Sequence, residues 1–171
     1  KSKTPRASGV EKIERLITPR IGAVWPGQGG VLLGIVRGTD GQPDHCLVKP
    51  PASVATIKGH WGPTSNIEAA NEYDGLANTV AMVAAGSAIA RDAMSVECEG
   101  HRDYYIPARR EARIAFANCS DLYPKEWHWT STQLAGNSDC AWLQHFGYGN
   151  QDLHHKSDLY PVRLVRRVPI R

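Results

Sequence analysis

Between residues 21 and 48 the apolar positions fall into short runs separated by Gly and Pro. Ile21-Gly22-Ala23-Val24-Trp25 and Val31-Leu32-Leu33-Gly34-Ile35-Val36 flank Pro26-Gly27-Gln28-Gly29-Gly30, which predicts a β-hairpin. A phosphate-cradling reading of those glycines requires a helix N-terminus directly after them. The residues that follow are apolar and largely β-branched, so the loop reads as a turn. Asp40-Gly41 marks a second turn, and His45-Cys46-Leu47-Val48 a third strand that Pro50-Pro51 ends.

From Asp74 the period becomes helical. Leu76, Val80, Val83 and Ile89 share one face with alanines between them, and Asp74 is placed to cap a helix running to about Ala93. Asp103-Tyr104-Tyr105-Ile106-Pro107 reads as a short strand. A second helix over about Ala108–Cys119 has Ile114, Ala115, Phe116 and Cys119 on its apolar face. Trp127–Thr132, Cys140–Phe146 and Val162–Arg167 then read as three strands, with turns at Gly147-Tyr148-Gly149-Asn150 and Lys156-Ser157-Asp158. The stretch 52–73, carrying His60-Trp61-Gly62, fits none of these periods and is expected to be a long surface loop. Residues 1–20 read as an arm in which Val10, Ile13, Leu16 and Ile17 fall at helical spacing before Pro19. The order is hairpin, helix, strand, helix and β-meander: an α+β domain over 21–171, two helices on short antiparallel sheets, behind the 1–20 arm.

Composition narrows the class. At 171 residues, 42% hydrophobic and 22% charged, the chain suits one globular domain. No apolar run approaches the ~20 residues that span a bilayer, so no membrane insertion is expected. The polar opening Lys1-Ser2-Lys3-Thr4-Pro5-Arg6 holds no apolar stretch of the signal-peptide kind. The net charge of +3 is unevenly placed. Residues 1–20 hold six Lys/Arg against two acids and residues 161–171 four Arg and no acid, while residues 21–160 hold ten Lys/Arg against fifteen acids. A nucleic-acid groove needs its basic residues along the folded body, so no nucleic-acid partner is expected. Cys46, Cys98, Cys119 and Cys140 are far apart with no Cys-x-x-Cys pair, which argues against a zinc ribbon or a thioredoxin-like site. They read as buried apolar residues; in an oxidising compartment a disulfide such as Cys98–Cys119 or Cys46–Cys140 is the alternative.

The C-terminal part carries a resemblance. Pro107-Ala108-Arg109-Arg110-Glu111 looks like the Leu-Pro-Thr-Arg-x-Glu-Leu start of the second helix in the Lcl C-terminal domain family. Trp127-His128-Trp129-Thr130-Ser131-Thr132 is similar to that family's Tyr-Trp-Ser-Ser-Thr strand. Ala141-Trp142 with Phe146 and Gly149 resembles its Ala-Trp-x-x-x-Phe-x-x-Gly segment, and Lys156 with Val162–Arg167 its closing Lys-Ser and Val-Arg-x-Val-Arg-Arg. These segments cover about 40% of the chain. Members are short bacterial, phage and prophage proteins and adhesin tips. The resemblance implies a C-type-lectin-like fold of the formylglycine-generating-enzyme subtype, with ligand or receptor binding on the terminal β-meander. The 1–20 arm and the 52–73 loop depart from the pattern. The catalytic cysteine pair of enzymes sharing the fold has no match here, so no enzymatic activity is expected.

Candidate binding residues lie between and within those segments: Gln133, Asn137, Ser138, Asp139, Trp142, Gln144, His145, Tyr148, Gln151, His154, His155 and Tyr160. Tyr, His, Asn and Ser combine contact area with hydrogen bonding at low entropic cost. Other chemistry is thin. His145, His154 and His155 suggest a metal, but zinc needs three or four convergent ligands and strand neighbours face opposite ways. For a structural calcium, Asn137-Ser138-Asp139 and Asn150-Gln151-Asp152 are the only candidates, and no cofactor is expected. A hydrolase triad of Ser131, His128 and Asp139 lacks a nucleophile elbow. Arg109 and Glu111 read as ion pairs fixing the start of the helix, and at least one of Arg163, Arg166 and Arg167 as the partner of an acid. The expected function is recognition of a host-surface protein or glycan by a phage or prophage product, displayed on a virion tail or related assembly. In that setting the arm holds a carrier protein or drives homo-oligomerisation, with a trimer expected. The alternatives are a structural virion or assembly protein, or an intracellular phage effector that binds a host protein.

Overall fold

The computed structural model describes residues 17–54, 56–136 and 139–170. The amphipathic stretch expected at 10–17 lies, but for Ile17, outside them. The architecture is mixed α+β. The expected hairpin is present as β1 (Val24–Trp25) and β2 (Gly30–Val36), and β3 (His45–Lys49) follows as the third strand. The sheet is completed by β9 (Arg166–Pro169), so its order is β1-β2-β3-β9, all antiparallel. Alternation along β2 and β3 sends Leu33 and Leu47 into a core with Tyr105, Tyr123, Phe146 and Val165. It sends Leu32, Cys46 and Val48 to the other face, with Trp25.

Residues 74–93 form two helices, not one. Helix α1 (Gly75–Ala84) ends before Gly86, which adopts the left-handed conformation (φ +94°), and α2 (Ala88–Met94) restarts at Ser87. The buried face of α1 also differs from the expected stripe: Val80 is 50% exposed, whereas Asn78, Thr79 and Met82 are buried. Polar groups go inward because irregular backbone needs them there. Asn78 Nδ2 donates to Asn71 O at 2.6 Å and its Oδ1 accepts from Asn71 N, and Thr79 Oγ1 accepts from Ile106 N at 3.1 Å. Helix α3 (Arg109–Cys119) matches the expected second helix. It packs close to β2, where a Cβ on Gly34 would stand 2.6 Å from Asn118 Nδ2.

The stretch 52–73 is not a surface loop throughout. Within it β4 (Ile57–Gly59) pairs with β8 (Tyr160–Val162). Trp61 is fully buried, donates from Nε1 to Thr130 O at 2.8 Å, and packs with Met82, Ile89, Tyr104 and Trp129. The segment expected as one strand at 162–167 is divided between β8 and β9, with Leu164 and Val165 buried between them. The expected strand at 103–107 is reduced to a single bridge, Tyr105 to Val165. The meander is β5 (Trp127–Gln133), β6 (Cys140–His145) and β7 (Gln151–His155), the last being a strand the hydrophobic pattern did not announce.

One polar network ties these layers together. Glu111 is fully buried: Oε1 accepts from Gly75 N at 2.8 Å and Ala108 N at 3.0 Å, and Oε2 accepts from the Tyr105 hydroxyl. Arg167 Nε donates to that same hydroxyl at 3.0 Å and its Nη2 pairs with Asp74, which caps α1 through Ala77 N. A Cβ at residue 75 would stand 2.5 Å from Glu111 Oε1, so the first residue of α1 is Gly. The expectation for Arg163, Arg166 and Arg167 holds for two of them: Arg167 pairs with Asp74, and Arg166 with Asp103 at 2.8 Å. The four cysteines are free thiols, Cys46 and Cys119 buried and the other two half-buried. Burial pushes the Cys46 and Cys119 thiols up.

Candidate functional site

Pairing in the meander sorts its side chains onto two faces. Trp127, Trp129, Ala141, Leu143, His145 and His154 share one; His128, Trp142, Gln144, Gln151, Leu153 and His155 share the other. Trp129, Ala141 and Leu143 are core, so the first face meets solvent at its ends and at Asp152 on the edge strand.

At the turn end, Gly147 N and Tyr148 N both donate to His145 Nδ1 at 2.9 Å. That fixes the imidazole with Nδ1 bare, and the Tyr148 ring stacks on it at 4.5 Å and 23°. Trp127 meets the same imidazole edge-on at 4.9 Å. The result is a ladder of Trp127, His145 and Tyr148 whose outermost ring is 86% exposed. Gln144, fully buried beneath it, staples the turn by donating from Nε2 to His145 O at 3.0 Å and Gly149 O at 3.1 Å. The ordering is therefore built into the turn and needs no ligand.

On the other face Trp142 is half-buried under the Arg109 guanidinium, whose carbon lies 3.5 Å from the ring centroid. Arg109 is held by Glu72 at 2.6 Å and by Gln151 Oε1, which accepts from its Nε at 2.9 Å. Burial lowers the Arg109 guanidinium, with Glu72 acting the other way. Gln151 Nε2 donates to Arg109 O and to Gln144 Oε1, both at 2.9 Å. Arg109 thus makes the ion pair expected of it and also forms, with Trp142, a flat cationic plate.

No family model matches the chain, and no curated protein matches it.

Several expected ligand residues are internal. Gln133 is buried: Nε2 donates to Asn66 Oδ1 and Ile67 O, and Oε1 accepts from Lys156 Nζ at 2.9 Å. Lys156, expected in a surface turn, is fully buried, with Ser65 O as its second acceptor at 3.0 Å. Gln144 is internal for the reason above, and His145 acts beneath Tyr148 without facing solvent itself. Gln151 is committed to Arg109 and Gln144. At the far end, His154 Nδ1 lies 3.0 Å from Asp158 Oδ2 and 3.1 Å from the Tyr160 hydroxyl, and Tyr160 packs edge-on to Trp129. His154 and Tyr160 are half-buried; His155, on the opposite face, is exposed beside Ser157. Asp139 is exposed, while Asn137 and Ser138 lie outside the described residues.

The structure brings Trp127, His145 and Tyr148 together, and separately Arg109, Trp142 and Gln151. It does not bring His145, His154 and His155 together, and among the described residues no three or more His, Cys, Asp or Glu side chains converge on a metal position. The Ser131 hydroxyl is buried beside Asn78 Nδ2 at 3.5 Å, and His128 packs on Tyr123 and Phe146 with its Nε2 unpartnered, so the two form no nucleophile–base pair. Trp127 was missed because a tryptophan opening a strand reads as core; its pairing with His145 across the hairpin is visible only in the register.

Proposed function

We propose that the chain is a non-catalytic recognition domain of C-type-lectin-like architecture, which engages a host-surface protein or glycan through the turn end of its terminal meander. The setting that suits it is a phage or prophage product on a virion tail or related assembly, with the 1–20 arm joining the domain to a carrier or to sister copies. The observation that carries this reading is the Trp127–His145–Tyr148 ladder: an almost fully exposed aromatic ring, held in place by the turn that bears it. An ordered, exposed tyrosine offers a large contact area at little entropic cost, the property that makes Tyr an interface anchor.

Tyr148→Ala leaves stability within ~0.5 kcal/mol, because the ring is solvated and its backbone N–H bond to His145 survives. It weakens binding by about 2 kcal/mol, or roughly thirtyfold, as loss of a central anchor does. Fluorescently labelled protein titrated onto intact bacterial cells and onto a glycan array measures this. Equal binding by wild type, Tyr148→Ala and Trp127→Ala sinks the reading, as does binding to neither probe.

One observation favours the structural alternative. Val24 and Ile35 are 64% and 58% exposed on strands of the four-stranded sheet. Ile35, in step with Cys46, lies on the face turned away from Leu47 and suits packing against a neighbouring subunit, whereas Val24, in step with Lys49 through Val31, points the other way. Light scattering separates the readings: an assembly brick multimerises through this sheet with or without residues 1–20, whereas a displayed binder becomes monomeric once those residues are removed.

A further inference from the structure

Lys49 ends β3 on the core side of the sheet, in step with Leu47. It is 6% exposed, yet among the described residues its ammonium donates only to Pro50 O at 3.2 Å, besides lying 5.4 Å from the Tyr123 ring centroid. Arg163 follows β8 and borders the same cleft; its Nε is buried with no hydrogen-bond partner, and no acid pairs with it among the described residues. Other inward arginines are neutralised: Arg109 by Glu72, Arg166 by Asp103, Arg167 by Asp74. The buried Lys156 has two oxygen acceptors where Lys49 has one. Burial first, then the charge of Arg163, lowers the Lys49 ammonium.

A buried ammonium and a half-buried guanidinium on one cleft, with no carboxylate pairing either among the described residues, are costly unless a negative group joins them. Between them is a cleft of about 10 Å³, also bordered by Pro50, Pro51, Ala52 and Leu164. That is room for about one water-sized atom. Pro50 and Pro51 bring no N–H to the cleft, and Lys49 and Arg163 bring its cationic donors.

We propose that Lys49 and Arg163 form an oxyanion site, which admits one terminal oxygen of a phosphate or carboxylate group while the rest of the ligand stays outside the cleft. The site takes the end of an acidic ligand, whether a phosphate monoester or the carboxylate of an acidic peptide or sugar. It lies apart from the aromatic ladder, so it stands or falls independently of the recognition reading above.

Thermal melts of the full chain in inorganic phosphate and in acetate, against chloride at constant ionic strength, test it. A saturable rise in melting temperature is expected in at least one, with the apparent affinity lowered at least ~10-fold in Arg163→Gln and in Lys49→Met. A rise in phosphate alone assigns the phosphate class, and a rise in acetate alone the carboxylate class. No saturable rise in either overturns the proposal. So does an undiminished rise in Arg163→Gln, which places the anion on the basic residues near the termini instead. The Arg163 side chain is half-buried with its Nε unpartnered, so that variant retains the fold even where Lys49→Met does not.

Discussion

Replacing Glu111 by Ala is expected to cost about 3–5 kcal/mol of unfolding free energy, the range for removing one member of a buried hydrogen-bonded charge network. The carboxylate accepts from two backbone amides, Gly75 N and Ala108 N, which begin α1 and flank the start of α3, and from the Tyr105 hydroxyl. Alanine leaves all three donors buried without an acceptor and opens a void under Gly75. It also leaves Arg167 joined to the start of α1 through Asp74 and no longer through Tyr105 and Glu111. Burial pushes the Glu111 carboxyl up, while the Tyr105 hydroxyl and the two amides oppose it. Glu111→Gln keeps an acceptor for the amides and should cost less than half as much. Urea denaturation of the two variants decides the matter. A loss below ~1 kcal/mol in Glu111→Ala means that the network does not hold the helices to the last strand.

The second large effect is a loss of stability in acid that traces to His128. Burial holds its imidazole at about 4, against 6.5 when solvated, and the charge of Arg163 works in the same direction. The Glu126 carbonyl, within hydrogen-bond reach of Nδ1, opposes the shift without overcoming it. A base whose folded pKa is depressed is neutral in the native state and takes up a proton on unfolding. Its contribution is therefore complete above pH ~6.5 and is lost as the pH falls toward 4. The full shift amounts to about 3 kcal/mol. Burial of His45 acts in the same sense, and Asp74, held below the usual carboxylate range against its burial by Ala77 N and Arg167, adds a loss at lower pH. The comparison that isolates His128 is therefore wild type against His128→Phe, whose ring keeps the edge-on contacts with Tyr123 and Phe146. Unfolding free energies at pH 7 and pH 4.5 should fall more steeply in wild type; parallel slopes would falsify the assignment.

The opening hairpin, third strand, second helix and first two meander strands were legible because each rests on a local period: two for strands, 3.6 for a helix. What could not be read were features set by distant partners. Asn78 and Thr79 face inward because loop backbone at Asn71 and Ile106 needs partners, and nothing near residues 78 and 79 signals that need. Trp61 is core because Thr130, 69 positions away, accepts from its indole. β7 escaped notice because Gln151-Asp152-Leu153-His154-His155 is too polar to register as a strand, being paired on one side only, at the sheet edge. Within the candidate site, Tyr148 was legible as a turn residue. Gln133 and Gln144 were not, since their amides are consumed by Lys156 and by the 145–150 turn.

The pairing of β3 with β9 also bears on how the chain is made. His45 and Pro169 lie in register although more than a hundred positions separate them. During synthesis the first three strands emerge early, but their sheet has no fourth strand until residues 166–169 have cleared the ribosome. Until then the inner face of Leu33 and Leu47 lacks Val165, and Tyr105 lacks the arginine that anchors its hydroxyl. Such non-local closure makes folding slow and leaves apolar surface transiently open. Nascent chains stalled before residue 160 are the species a chaperone would meet.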